Sequence, residues 1–286
     1  MRAVFVATFA VTVALAPSLS ARQQPSAEDL LKVSRAYLAS YAPKVSGALL
    51  DERYTLTFVA GGRMESPHRI NSDLVLINVG GTLVGIRDAY SIGGAKIREA
   101  KPRVAEMLAE PTQAKWDQVQ EIARASFKYF LAESVVRFND PMLVFRFLNP
   151  KDPSKFSYSI EGKKKINGVE TIGLRFQENR ADGVKYTLNT RGNASVSGRF
   201  WVDPATGAIH QTDLSIDSKT ENSRITVSYA PAQGFEFLLP SKTIETYEER
   251  DDAGSGLGSS GAATKFEANA SYGNPRYSPI DFTRGR

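Results

Sequence analysis

The residue types that most often carry chemistry are scarce in this sequence. It has two histidines, His68 and His210, and no cysteine, which excludes thiolate zinc sites and cysteine nucleophiles. A Ser-His-Asp triad or a histidine metal site would need one of these histidines beside its partners. His68 lies in the loop-like segment Glu-Ser-Pro-His-Arg, and His210 lies in the middle of a predicted strand. We therefore interpret both as structural or surface residues.

Three further segments match ligand-binding motifs only in part. The glycine-rich stretch 254–261 lacks the helix and the lysine that complete a phosphate-binding loop, which favours a hairpin connection. Lys163–Lys165 lies between two predicted strands, as a solvated hairpin tip would. The acidic residues between 245 and 252 lack the spacing of a calcium-binding loop. We expect no catalytic residue, no metal site, no cofactor and no enzyme activity.

The charge and the N-terminal segment narrow the class of protein. The net charge of +5 comes from 36 basic and 31 acidic residues spread along the chain, which argues against nucleic-acid binding. Residues 1–21 have a basic start, an apolar run and small residues at their end, as in a cleavable signal peptide. No later stretch has about 18 consecutive apolar residues. We expect a periplasmic or secreted protein without a transmembrane segment after cleavage.

The elements that must position any binding residues form an α+β pattern. Ser26 and Asp29 match a capping box that opens an amphipathic helix. Apolar and polar residues alternate in 52–59, and double glycines separate short strands up to residue 97. Residues 98–148 change to helical spacing, and strand patterns return from residue 156 onward. The sequence predicts an antiparallel sheet with the helices of this insert packed on one face.

The segment around Gly207 predicts the clearest hairpin. Pro204 and Gly207 are typical of the turn, with a positive φ at Gly207. The expected loop places Trp201 opposite His210. Phe200 and Trp201 then point to opposite faces, which predicts a central strand that is covered on both sides.

The same hairpin carries a family resemblance. Its sequence GRFWVDPATG resembles the Trp-Val/Ile-Asp-Pro-x-Thr-Gly hairpin of bacterial lipoprotein carriers of the LolA/LolB type. The pattern continues in Ile225–Tyr229, Leu239–Tyr247 and Ala268–Tyr272. Leu83–Tyr90 and Ala123–Tyr129 also resemble uncharacterised exported bacterial proteins of this general pattern. The resemblance implies a strongly curved antiparallel sheet, an incomplete barrel, with helices that cover its concave face around an apolar cavity.

The resemblance also implies a function, namely that the chain binds or carries a lipid or lipoprotein acyl chain in the periplasm. The residues expected to line the cavity are Tyr54, Leu56, Phe58, Trp116, Phe127, Phe145, Leu174, Phe176, Phe200 and Val202. The alternative is an envelope protein-interaction or sensor module, in which the concavity is filled and the ligand is a partner protein. We expect residues 22–286 to form one LolA-like domain with a helical insert at about residues 98–148.

Overall fold

The computed structural model describes residues 24–60, 63–64, 66–130, 139–179, 194–218, 221–249 and 265–280. The signal peptide predicted at residues 1–21 and the glycine-rich stretch 254–261 lie outside these ranges. Among the helices of the described ranges, none combines the length and the hydropathy needed to span a bilayer.

Along the chain, two strand-rich parts flank a helical insert. The α-helices of the described residues are α1 (Ala27–Val45), α2 (Arg103–Leu108) and α3 (Gln113–Phe127). Short 3-10 helices span Lys128–Phe130, Leu143–Phe147 and Pro153–Lys155, and we call the second of these the inner 3-10 helix. The strands are β1 (Ala48–Ala60), β2 (Arg63–Met64), β3 (His68–Val79), β4 (Thr82–Ile92), β5 (Ala95–Lys96), β6 (Phe156–Ile166), β7 (Val169–Glu178), β8 (Ser195–Val202), β9 (Ile209–Asp217), β10 (Glu221–Pro231), β11 (Leu238–Glu249) and β12 (Lys265–Tyr277).

These strands form one large antiparallel sheet. Its order is β5-β4-β3-β1-β12-β11-β10-β9-β8-β7-β6, and β2 pairs with β1 outside this order. Because β5 and β6 lie at opposite ends, the sheet is not closed. The C-terminal strand β12 lies between β1 and β11, so it joins the N-terminal strands to the rest. The predicted open antiparallel sheet is confirmed.

The helices cover both faces of this sheet. Successive residues of a strand point to opposite faces. Leu50 and Leu74 pack with α1, on what we call the inner face, whereas Leu49 and Val75 pack with α2 and α3 on the outer face. Of the helical insert, the segment Met142–Leu148 packs on the inner face. The sequence predicts that all helices of the insert cover the concave face. In the structure, α2 and α3 pack on the outer face instead.

Helix α1 begins as the sequence predicts. The Ser26 hydroxyl accepts a hydrogen bond from the Asp29 amide at 3.1 Å, and the Asp29 carboxylate accepts one from the Ser26 amide at 3.2 Å. These bonds satisfy amides that have no partner within the helix. Leu30, Leu38 and Val45 are buried along one side of the helix, which contacts β3, β6 and β7. One apolar stripe thus holds α1 across strands from both halves of the sheet.

The β8–β9 hairpin has the predicted turn with a shifted pairing. Gly207 has a φ of 76°, as expected. The sequence predicts that Trp201 pairs with His210, but Trp201 pairs with Gln211, and a β-bulge follows it. On the outer face the Arg199 guanidinium lies 4.9 Å from the Trp201 ring centroid, and the Lys164 ammonium lies 5.4 Å away. The strand is covered on both sides, but charged side chains cover its outer side.

Candidate ligand site on the inner face

The structure distributes the ten predicted cavity residues over four environments. Phe145, Leu174, Phe176, Phe200 and Val202 are buried on the inner face with α1, in what we call the α1 cluster. Tyr54, Leu56 and Phe58 lie farther along the inner face, in what we call the strand cluster. Trp116 packs with α2 on the outer face, and Phe127 is 40% exposed. The structure thus brings eight of the ten candidates to one face, in two groups.

The α1 cluster is filled by the chain itself. The inner 3-10 helix inserts Phe145 and Phe147 between α1 and the sheet. The Phe147 ring stacks on Phe176 with centroids 4.9 Å apart, and Phe176 lies 5.2 Å from Phe200. Phe145 lies 5.8 Å from Tyr41 of α1. These ring contacts pack the described aromatic side chains of α1, the inner 3-10 helix and the sheet against one another.

The strand cluster has a different composition. Its described members all belong to strands, namely β1, β3, β4, β11 and β12. Large side chains form its sides, and the Phe58 and Phe266 ring centroids are 4.8 Å apart. Small residues, namely Ala89, Ala268 and Ala270, lie between them. The strand cluster is therefore an apolar surface of the sheet to which neither α1 nor the inner 3-10 helix contributes.

The two clusters occupy opposite ends of the inner face. Strand β1 starts at Ala48, directly after α1, and Ala48 and Leu50 belong to the α1 cluster. Phe58 follows eight residues after Leu50, which corresponds to about 26 Å along a strand. The end of the sheet away from α1 is thus where the strand cluster lies.

A buried ion pair separates the two clusters on β1. Glu52 lies between Leu50 and Tyr54 on the inner face and is fully buried. Its carboxylate accepts hydrogen bonds from Arg87 Nε at 2.6 Å, Arg87 Nη2 at 2.8 Å and the Ser72 hydroxyl at 2.6 Å. Burial opposes the charge of Arg87, but Glu52 more than offsets it, and the pKa of the guanidinium is raised. Arg87 therefore stays charged inside the protein.

The same arginine fixes the turn before the inner 3-10 helix. Arg87 donates to Asn139 Oδ1 at 3.1 Å and also to the Asn139 carbonyl oxygen. Asp140 Oδ1 accepts from the Gly85 amide at 3.0 Å, and burial raises the pKa of this carboxyl. The Tyr229 hydroxyl donates to the Pro141 carbonyl at 2.6 Å. Side chains and backbone of β4 and β10 thus hold the turn that directs the inner 3-10 helix into the α1 cluster.

A second buried carboxylate borders the strand cluster. Glu245 is 1% exposed and accepts hydrogen bonds from the Tyr54 hydroxyl at 3.0 Å and the Tyr247 hydroxyl at 2.9 Å. The Tyr272 hydroxyl lies 2.8 Å from the Thr243 hydroxyl, and burial raises the pKa of Tyr272. In the strand register Glu245 is level with Ala268, between Thr243 and Tyr247, so this hydrogen-bonded carboxyl lies beside the middle of the strand cluster.

Sequence reasoning missed these buried polar residues. Tyr54 and Glu245 are 191 residues apart in the chain, and no local motif relates them. One signal was available, because Glu52 interrupts the apolar inner positions of β1 between Leu50 and Tyr54. A charged residue at such a position must find a partner inside the fold.

The two histidines show no catalytic arrangement, although His68 pairs with the inner-face residue Leu56. His68 is exposed at the start of β3. His210 is buried, burial lowers its pKa, and its Nδ1 atom has no hydrogen-bond partner among the described residues. Within the described part of the chain, no three His, Cys, Asp or Glu side chains come close enough to hold a metal ion.

A polar cleft of about 280 Å³ opens beside β1 and β12. Its lining residues are Asp51, Arg53, Ser271, Tyr272, Gly273 and Asn274. Asn274 Nδ2 donates to Asp51 Oδ2 at 2.8 Å across this cleft. Its charged and amide groups do not match the apolar cavity that the sequence predicts.

Comparison with known proteins gives structural neighbours only. No protein-family model and no curated protein matches the chain. Among solved structures, it is similar to a proposed outer membrane lipoprotein-sorting protein domain from Vibrio parahaemolyticus, with 9% identity and a TM-score of 0.41 over 90% of this chain and 96% of that one. A LolA superfamily protein from Nitrosomonas europaea is also similar. It has 9% identity and a TM-score of 0.32 over 91% and 97% of the two chains.

A third neighbour is a DUF1329 family protein from Desulfovibrio piger, with 9% identity and a TM-score of 0.37 over 89% of this chain and 94% of that one. The neighbours thus include the LolA type that the hairpin sequence resembles. At this level of similarity the function of a neighbour does not transfer to this chain. The function proposed below rests on the side chains of the inner face.

Proposed function

We propose that this chain is a non-enzymatic protein that binds an apolar, lipid-like ligand against the strand cluster on the inner face of its sheet. The observation that carries the proposal is the difference between the two ends of this face. The α1 end is filled by α1 and the inner 3-10 helix, whereas the described members of the strand cluster are all sheet side chains. The core members of the strand cluster are at most 9% exposed and Phe58 is half-buried, so the ligand would enter between these apolar side chains next to Phe58.

The contacts of α1 support a curved sheet, and hence a concave inner face. Strands β3 and β7 are seven positions apart in the sheet order, which is about 34 Å in a flat sheet. Helix α1 has 19 residues, or about 28 Å, yet it contacts both strands and β6 as well. A sheet that bends around the helix explains these contacts.

The side chains of the strand cluster suit an acyl chain. Tyr54, Leu56 and Phe58 provide an apolar wall, and Ala268 and Ala270 provide a floor of small residues. Glu245, beside Ala268, accepts hydrogen bonds from the Tyr54 and Tyr247 hydroxyls, so the carboxyl next to this apolar region has partners within the fold. The proposal places this binding in the periplasm or outside the cell, in line with the signal-peptide features of residues 1–21.

The first prediction concerns Phe58→Asp. A carboxylate on the inner face should abolish binding of the apolar fluorescent probe N-phenyl-1-naphthylamine, because a charge next to the ligand is costly. Val59→Asp is the matched control, since Val59 is the next residue of β1 and points to the outer face. We expect wild-type protein and the control to bind the probe stoichiometrically, as measured by fluorescence titration. Mass spectrometry of native-source protein should detect a co-purified lipid.

The filled α1 cluster favours one other function, an envelope protein-interaction or sensor module. Five of the ten predicted cavity residues are buried there by the protein's own helices. If folded wild-type protein carries no extractable lipid and binds no probe, lipid binding is excluded and the interaction module takes its place. Equal loss of probe binding in Phe58→Asp and Val59→Asp would also contradict a site on the inner face.

A further inference from the structure

The two ends of the sheet differ in what covers the strand edge. At the β4 end, the Gly85 amide donates to Asp140 Oδ1 and the Ala89 amide donates to Ser126 Oγ, each at 3.0 Å. Arg98 Nε donates to the Ala89 carbonyl oxygen at 3.0 Å. Residues of the helical insert thus bond backbone groups that an edge strand otherwise leaves unpaired.

At the other end of the sheet, β6 has β7 as its only neighbour among the described strands. The Asn179 amide donates to the Lys155 carbonyl oxygen at 2.7 Å, so these two residues form a hydrogen-bonded pair of the β6–β7 ladder. Such pairs alternate with residues whose backbone groups point the other way. The amides and carbonyls of Phe156, Tyr158 and Ile160 therefore point away from β7, and we call this row of groups the β6 edge.

The β6 edge is accessible and long enough to pair with a short strand. The side chains of Ser157 and Ser159 are exposed. The regular run Phe156–Ile160 is about 16 Å long. A β-bulge between Ile160 and Lys163 ends this run. Strands of about five residues are common in globular proteins, so an extended segment of that length can pair here.

The charge next to this run is positive. Three consecutive lysines, 163–165, are exposed beyond the bulge. Lys163 lies opposite Ile172 on β7, so its cross-strand neighbour carries no charge. Glu161, the acidic residue of β6, is already paired with Arg199 at 2.8 Å. An acidic segment therefore complements this part of β6 better than a basic one does.

We propose that the β6 edge binds an extended acidic segment of a partner protein, which adds a strand to the sheet. The segment runs antiparallel to β6, as neighbouring strands of this sheet do, so its acidic residues lie at its N-terminal end beside Lys163. A second copy of this chain would bring the same lysines, and like charges oppose that pairing. The inference goes beyond the proposed function, because the strand cluster contains no residue of β6.

The first test compares two peptides that differ only in charge, fluorescein-labelled EEETVTVT and fluorescein-labelled KKKTVTVT. Fluorescence anisotropy with the wild-type protein measures their dissociation constants. We expect the acidic peptide to bind about tenfold more tightly at low salt, because three exposed charges are reversed. High salt should reduce this difference.

A second pair of peptides tests whether binding adds a strand. Both have the acidic sequence, but one is N-methylated at its two valines and the other at its last two threonines. Amides of successive residues in an extended strand point to opposite sides, so only one of the two methylated rows faces β6. We expect one isomer to bind about tenfold or more weakly, through lost hydrogen bonds, and the other to bind as the unmethylated peptide does.

A charge variant of the protein tests the role of Lys163. Lys163→Glu should weaken binding of the acidic peptide about fivefold, because an exposed attraction becomes a repulsion. Lys101→Glu is the matched control, since Lys101 is an exposed lysine that precedes α2, and it should bind as wild type does. Lys165 stays unchanged in both, because Glu170 lies opposite it on β7.

A backbone variant tests the edge itself. The Ile160 amide points away from β7, so Ile160→Pro removes a donor of the β6 edge without removing a ladder bond. It should weaken binding of the acidic peptide, provided that circular dichroism shows a folded protein. The comparisons of peptides on wild-type protein need no variant, so a variant that fails to fold does not prevent the test.

Three results would each overturn the proposal, namely no binding of the acidic peptide, equal binding of the acidic and basic peptides, and equal binding of the two methylated isomers. A wild-type dimer that Ile160→Pro dissociates, as seen by analytical ultracentrifugation, would assign the β6 edge to a second copy and overturn it as well. None of these results bears on lipid binding, which the apolar probe tests separately.

Discussion

At the scale of single residues, Gly207 connects the β8–β9 hairpin to α1. A Cβ atom at this position would lie 2.3 Å from the Val33 carbonyl oxygen, and the φ of 76° is unfavourable for other residues. We expect Gly207→Ala to lower the free energy of unfolding by about 2–4 kcal/mol, from backbone strain plus the displacement of α1.

The matched control for Gly207→Ala is Gly234→Ala. Gly234 has a φ of 83° but open space around its Cβ position, so it should lose only the strain component of about 1 kcal/mol. Urea denaturation measures both values. Equal losses would show that the added methyl group does not clash with Val33.

Single residues also show what sequence can and cannot predict. The positive φ of Gly207 follows from a local turn pattern, and it was predicted correctly. The contact of Gly207 with Val33 joins two residues that are distant in the chain, and no local pattern encodes it. For the same reason, the outer-face position of Trp116 and the exposure of Phe127 were not predictable from helical spacing alone.

At the scale of elements, the Glu52–Arg87 pair holds β1, β4 and the turn before the inner 3-10 helix together. Arg87→Met should lower the free energy of unfolding by about 3–5 kcal/mol, because it leaves the Glu52 charge buried and without its cation. The double variant Glu52→Leu with Arg87→Met removes both charges. It should be more stable than the single variant in thermal and urea denaturation, and a further loss in the double variant would contradict this explanation.

The elements themselves were predictable where their signals are local. The capping box of α1 and the helical spacing of the insert identified these helices correctly. The face on which α2 and α3 pack was not predictable, because β1 offers apolar residues to both faces, with Leu49 on one and Leu50 on the other. Only the tertiary fold decides between two apolar surfaces of this kind.

At the scale of the whole molecule, His210 makes stability depend on pH. Burial lowers its pKa below the ordinary 6.5, so the unfolded chain binds the proton more readily than the folded protein. The stability from neutral His210 is complete above pH 6.5 and is lost as the pH falls toward the lowered folded pKa. Urea denaturation at pH 8 and pH 5 should show a larger loss for wild type than for His210→Gln.

This comparison isolates His210 from the acidic groups. Burial raises the pKa values of Asp73 and Asp140, which gives a pH dependence of the opposite sign. Both carboxyls are present in the wild type and in His210→Gln, so their contributions cancel in the difference. Identical pH profiles would show that His210 is not protonated over this range.

The position of β12 has a consequence for the order in which the protein can form. Tyr277 pairs with Ala48, and among the described strands only β12 pairs the strands before residue 97 with those after residue 155. Synthesis delivers the N-terminal strands first, yet their central neighbour is made last. A nascent chain that stops short of residue 265 therefore lacks the strand that pairs with both half-sheets, although α1 contacts strands of each. The pairing of β1 with β12 closes a loop of more than 200 residues, which makes this step slow.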